Sequence, residues 1–321
     1  MRTLAKKRKF KNNITRNKKN KTNKTKKKMQ IGSAKRKIHL QKVNCSPKDK
    51  KEINDFTCYT DKALYKLRDL WNARHPDVKI NTNNTKEIHN LLSEYLSDIC
   101  NKESCWIRQQ KEFGKISSEM TDSFAPESPS EWKKNPNEWL SSVDIIKVMK
   151  QYEKAYKCFD FIGPTPIDFD TRKIYGECVW EELCNFNLAK QIQDGKTKIG
   201  IIFNTDPHDK PGQHWISMFI NIKKKQIFFF DSTGDKPQKE IMVLVNRIKK
   251  QGLALNPKLL FKFDSNEGIE HQYGNTECGM YSLFFVVHML EDKMTDHYLK
   301  THILKDKYMQ NFRKIYFNDS L

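Results

Sequence analysis

The sequence predicts an α+β fold: a small mixed β-sheet packed between helices, with an N-terminal helical arm and a disordered basic tail. Three observations lead there. Apolar residues recur at helical spacing in several segments before residue 193 and again after residue 238. Between residues 198 and 231 they alternate with a period of two or run in short apolar blocks. Charge is uneven along the chain. The 321 residues carry a net +20, and nineteen of the 59 Lys and Arg, with no Asp or Glu, lie in residues 1–48, so the rest is close to neutral.

The tail, residues 1–48, is Lys-rich and self-repelling, and it buries little apolar surface. Its chemistry suits binding to a polyanion, nucleic acid included. Residues 49–113 form the predicted arm. Thr60 caps a helix whose Leu64, Leu67, Leu70 and Trp71 share one face, and His75-Pro76 ends it. A second helix starts near Thr85, with Ile88, Leu91, Leu92, Tyr95, Leu96 and Ile99 in register. Residues 114–137, rich in Ser, Pro and charge, read as a linker.

The catalytic half is predicted to span residues 138–321. Residues 141–159 read as a helix with Ile145, Val148, Met149 and Tyr152 on one face. Gly163-Pro164-Thr165-Pro166 then breaks the chain, and residues 179–193 read as another helix. Strands follow at 198–204, 213–222 and 226–231, the last two joined by a Lys223-Lys224-Lys225 turn. An amphipathic helix at 239–251 precedes a fourth strand at 258–263. After a polar loop, residues 278–290 (CGMYSLFFVVHML) read as a buried helix. No run of about 18 apolar residues occurs, so no membrane span is expected. The eight cysteines show no Cys-x-x-Cys and no zinc spacing, so no metal or other cofactor is implied. Seven are expected to be reduced thiols.

The eighth, Cys278, opens a helix after a loop. A helix N-terminus offers unpaired N–H groups and a positive dipole end, both of which favour thiolate over thiol. His214 opens a strand after the Asp209-Lys210-Pro211-Gly212 turn. Asp231 closes the next strand, which an antiparallel hairpin places beside it. Gln272 stands on the loop before Cys278, where its amide N–H can join the Cys278 backbone N–H in an oxyanion hole. Gly279, lacking a side chain, lets a substrate carbonyl approach. Taken together these residues satisfy the nucleophile, base and orienter logic of a cysteine protease, with Cys278, His214 and Asp231 as the triad. Cys178 or Cys184 with His208 or His271 are competing Cys/His pairings of unfamiliar order and spacing.

His214-Trp215, Asp231 seventeen residues later, and Gln272 six residues before Cys278-Gly279 resemble the ubiquitin-like-protein-specific protease family of clan CE. That family includes SUMO proteases, the adenovirus maturation protease and polyprotein-processing proteases of large nucleocytoplasmic DNA viruses. Trp139-Leu140 followed by Asp144-Ile145 is similar to the family's stretch before its first helix. The resemblance implies that Trp215 lines a narrow tunnel for a small-residue pair, and that the chain cuts after Gly-Gly in a protein substrate. The arm and the stretch from Trp139 to Phe169 are similar to the viral branch. That branch implies processing of structural polyproteins in the virion and host cytoplasm. Two other readings stay open: a nuclear SUMO- or ubiquitin-deconjugating protease, and a catalytically dead binding module of the same fold.

Overall fold

The sheet forms where period-two sequence is rich in β-branched and aromatic residues. Its five strands lie in the order β1-β2-β3-β4-β5: β1 Phe159–Pro166, β2 Lys198–Asn204, β3 Trp215–Asn221, β4 Gln226–Phe230 and β5 Lys262–Ser265. The three central strands are antiparallel, with Ser217 opposite Phe230 in the β3–β4 hairpin. The edge strands β1 and β5 run parallel to their neighbours. The sheet is therefore mixed, as the sequence predicts. The structure is a computed structural model and describes residues 40–48, 52–110, 120 and 122–319. Residues 1–39, which hold most of the basic tail, lie outside them.

Helices α1 (Asp61–Arg74), α2 (Thr85–Tyr95) and α3 (Cys105–Gln110) precede the sheet, followed by α4 (Ser142–Ala155). Short helices α5 (Glu181–Cys184) and α6 (Leu188–Gln193) link β1 to β2, and α7 (Lys239–Ala254) links β4 to β5. The chain ends with α8 (Cys278–Leu290), α9 (Asp296–Thr301) and α10 (Asp306–Tyr316). Strand alternation sends side chains to two faces. Ile199, Ile201, Phe203, Ile216 and Met218 pack on the side of Ile241, Leu244 and Ile248 from α7. Phe161, Ile202, Phe219, Phe228 and Phe230 pack on the side of α4 and α8. Every α8 residue except His288 is buried, so its apolar character runs all round, as a central helix requires. A capping box starts α4: Ser141 Oγ accepts from Asp144 N, and Asp144 Oδ2 accepts from Ser141 N. The arm has a core of its own around Tyr59, Leu64, Leu67, Ile88, Leu92 and Trp106.

Several expectations need correction. The break at Gly163-Pro164 lies inside a strand. β1 is an edge strand, where a missing N–H is tolerated, and its register with β2 shifts between Ile162 and Thr165. The helix expected over 179–193 is two short helices, and the last strand begins at Lys262 instead of 258. Residues 40–48, assigned to the tail, are tied down. Gln41 N donates to Asn101 O and Ser46 N to Ser123 O. The middle of the expected linker is also fixed, since Ser128 N donates to Asn318 O and Asn318 N to Pro126 O. Six of the seven cysteines expected to be reduced form bridges: Cys45–Cys58, Cys100–Cys105 and Cys178–Cys184, with Cα separations of 5.0, 5.6 and 6.2 Å. Only folding brings the first pair together, whereas the other two pairs are near neighbours, five and six residues apart along the chain. Cys158 and Cys278 remain free thiols. No helix among the described residues is long and apolar enough to cross a membrane.

Candidate active site

His214 stands one residue before β3, so the alternation that sorts Trp215 from Ile216 does not govern it. The preceding turn bends at Gly212, with φ +90°, where a Cβ would sit 2.6 Å from the Asn204 amide nitrogen. Only glycine fits there. Asp231 follows the last residue of β4 and is buried. Its Oδ1 lies 2.7 Å from His214 Nε2 and also accepts from Thr233 N at 3.0 Å and Thr233 Oγ1 at 2.8 Å. Asn266, fully buried, grips the Asp231 backbone at both ends. Its Oδ1 accepts from Asp231 N at 2.9 Å and its Nδ2 donates to Asp231 O at 2.6 Å.

Cys278 is the first residue of α8 and is 3% exposed. Its side chain acts on the His214 ring and helps hold the ring's proton. With Nε2 committed to Asp231, Nδ1 is the nitrogen left to serve the sulfur. Burial by itself would drive the proton off His214. The hydrogen bonds to Asp231 and Cys278, and the charges behind them, outweigh burial and lift the ring from 6.5 to about 10. An imidazolium is therefore the resting form at neutral pH.

Gln272 is buried beside this group. Ser232 Oγ donates to its Oε1 at 2.8 Å, and its Nε2 donates to Gly274 O at 2.8 Å. A carbonyl only accepts, which fixes the amide's orientation and leaves one N–H of Nε2 over. Trp215 Nε1 donates to Leu140 O at 3.0 Å. A Cβ on Gly279 would lie 3.0 Å from Leu140 Cβ and 3.3 Å from Trp215 Cδ1. The glycine thus makes room for these two side chains against the start of α8, a different use from the substrate approach expected of it. A groove of about 470 Å³ opens beside Trp215, among Trp139, Pro164, Trp180, His208 and Gly212.

The structure brings His214, Asp231, Gln272, Cys278, Trp215 and Gly279 to one place, and it does not assemble the competing pairings. Cys178 and Cys184 are bonded to each other. His208 Nδ1 lies 2.6 Å from Asp168, and the buried His271 accepts from Leu304 N at 3.1 Å. No group of His, Cys, Asp and Glu suited to a metal occurs among the described residues. Sequence reasoning missed Ser232, Thr233, Asn266, Glu277 and Arg313. Ser232-Thr233, directly after a strand-end Asp, carried a turn signal that could have been used. Asn266 and Arg313 carried none, because they meet the site across 35 and 36 residues of chain.

The sequence matches the Ulp1 protease family, C-terminal catalytic domain, over residues 147–320. A protein of Acanthamoeba polyphaga mimivirus named as a thiol protease is 28% identical over 299 residues, 86% of this chain and 93% of that protein. A cysteine protease of African swine fever virus is 27% identical over 248 residues, 71% of this chain and 86% of its own length. The crystal structure of an African swine fever virus protease matches with a TM-score of 0.61 at 21% identity, covering 88% of this chain and 98% of the other. That last likeness is one of fold.

Proposed function

The chain belongs to the Ulp1 protease family and is a cysteine peptidase, and from that premise we propose that Cys278, His214 and Asp231 are its catalytic triad and Gln272 its oxyanion donor. One observation carries the proposal. A single imidazole is bonded through Nε2 to a buried carboxylate, and its proton is further held by a cysteine at a helix start. The Cys278 thiolate attacks the scissile carbonyl carbon. The oxyanion that forms accepts from the Cys278 backbone N–H, one of those a helix start leaves unpaired, and from the spare N–H of Gln272. The His214 Nδ1 proton passes to the leaving amine as the C–N bond breaks. Water, giving its proton to the now neutral His214, then hydrolyses the thioester. Asp231 keeps the ring in the tautomer that serves both steps.

The substrate is a protein segment with small residues before the cut, Gly-Gly-X in type. It threads the groove walled by Trp139 and Trp215. Both relatives come from viruses, which supports processing of structural polyproteins in the virion and in the host cytoplasm. The basic tail serves as a separate polyanion-binding segment. The test is Cys278→Ala. It should abolish cleavage of a Gly-Gly amidomethylcoumarin peptide while circular dichroism stays unchanged, and wild-type turnover would sink the assignment. A cleavage screen of Gly-Gly-X peptides, SUMO and ubiquitin precursors, and viral capsid polyproteins separates polyprotein processing from deconjugation.

A further inference from the structure

Glu277, the residue before Cys278, occupies the N-cap of α8, yet its side chain makes no cap hydrogen bond. An anion in that place is drawn to the positive end of the helix and its unpaired N–H groups. Here it is held elsewhere. Arg313, on α10, meets it as a two-pronged pair: Nε donates to Oε2 at 2.9 Å and an NH2 nitrogen to Oε1 at 3.0 Å. Thr276 Oγ1 adds a bond to Oε1 at 3.1 Å. Arg313 is 6% exposed and Glu277 is 1% exposed.

The same guanidinium braces two further segments. It donates to Glu138 O at 2.8 Å and to Thr276 O at 3.1 Å, and it lies 4.5 Å from the centre of the Trp132 ring. Trp132 Nε1 in turn donates to Glu138 O at 2.9 Å. Glu138 leads directly into Trp139 and Leu140, which wall the groove, and Leu140 rests on Gly279. One buried cation thus joins the residue before the sulfur, the groove wall and the C-terminal helix.

Resting on the peptidase reading above, we propose that Arg313 is a positioning residue that neutralises Glu277 and keeps its carboxylate off the start of α8. The helix's free N–H groups and positive end then remain available to the Cys278 sulfur and to the oxyanion. Without Arg313, Glu277 would be a buried, unpaired anion on the residue before the thiolate, and the two charges would repel. Without Glu277, Arg313 would be a buried, uncompensated cation that favours the thiolate further. The titratable groups linked to the sulfur are His214 and Asp231 behind it; Asp306 lies one turn along α8, at Tyr281. The Tyr281 hydroxyl donates to Asp306 at 2.9 Å. Lysine could supply the charge but not the planar fork that serves a carboxylate, two carbonyls and an indole face at once.

The experiment uses the full chain. Iodoacetamide alkylation of Cys278, followed by mass spectrometry of its peptide, is measured against pH alongside turnover of the Gly-Gly peptide. Arg313→Met should move the alkylation midpoint up by about one pH unit and lower kcat about tenfold or more, with KM little changed. Glu277→Gln should move the midpoint down. The double variant should return it to the wild-type position. Arg313→Lys should keep the midpoint near wild type yet lose turnover, because the fork is gone. Should Arg313→Met fail to fold, Glu277→Gln and the charge-free double variant still decide the matter. A brace with no electrostatic role would leave every midpoint in place, and that result, or single variants shifting in the same direction, overturns the proposal. Alkylation is read on the sulfur without substrate, so its outcome stands apart from the Cys278→Ala test of the peptidase reading.

Discussion

The proton on His214 is held from two sides of one ring, by the Asp231 carboxylate and by Cys278. That has a consequence for stability. The folded value of about 10 lies above the ordinary 6.5. Below pH 6.5 both folded and unfolded chains hold the proton, and the stabilisation is complete. Between 6.5 and 10 the unfolded chain has released it while the folded chain retains it, so stability falls with rising pH; above 10 the contribution is gone. Wild-type Tm should therefore drop more steeply from pH 6.5 to 10 than the Tm of His214→Gln, measured by calorimetry in matched buffers. Parallel curves would show that the ring carries no bound proton. Much at this scale was legible in the sequence. The positions of Gln272 and Cys278 follow from six residues of shared loop, and that of Asp231 from a hairpin. What was not legible is how each is held still. Ser232 fixes Gln272 across 40 residues and Arg313 fixes Glu277 across 36, and no local period encodes such a meeting.

Elements were legible where one period ran long enough to be counted, and obscure where a turn residue sat inside an element. Helix α8 and the β3–β4 hairpin follow from their apolar patterns. β1 hid behind Gly163-Pro164, and α9 and α10 were not picked out at all. The loop after β5 was read only as polar and the one after β4 was given no reading, yet the two form one hydrogen-bonded block. Gly234 N donates to Asp231 O, Gly268 N to Gly234 O, and the N–H groups of His271 and Gln272 both donate to Ser232 O. Asn266 is the peg of that block, with its amide bonded to Asp231 N, Asp231 O and Ile269 O. Removing it leaves a buried N–H and two carbonyls without that partner. Each orphaned group costs roughly 1–3 kcal/mol, less where neighbours relax. Asn266→Ala should lower the unfolding free energy by about 2–4 kcal/mol, read from a urea midpoint. Because the block carries Asp231 at one end and Gln272 at the other, kcat should fall with it. A variant with unchanged midpoint and turnover would show that the loops hold themselves.

At the scale of the whole molecule, charge alone set the expected end of the tail at residue 48, since the first carboxylate comes at Asp49. Hydrogen bonds draw the line earlier. Asn44 N donates to Asn318 Oδ1 at 2.7 Å and Asn44 Nδ2 to Phe317 O at 2.9 Å. Asn318 Nδ2 returns to Asn44 O at 3.0 Å and to Ala125 O at 2.9 Å. The segment before the arm, the middle of the linker and the end of α10 thus meet in one knot of backbone and amide bonds, a short distance along α10 from Arg313. The described residues form one compact unit, and charge could not reveal that residues 40–48 belong with it. Two truncations separate these ideas. A chain beginning at residue 40 loses seventeen Lys and Arg, so the salt-sensitive binding to heparin or DNA proposed for the tail should vanish. Its turnover of a short Gly-Gly peptide and its Tm should stay as in the full chain. A chain beginning at residue 49 also loses the Asn44 and Ser46 bonds and the Cys45–Cys58 bridge. It should melt several degrees lower and lose turnover as α10 loosens. Equal Tm values for the two truncations would show that the knot carries no stability, and polyanion binding that survives removal of residues 1–39 would place that activity in the folded body.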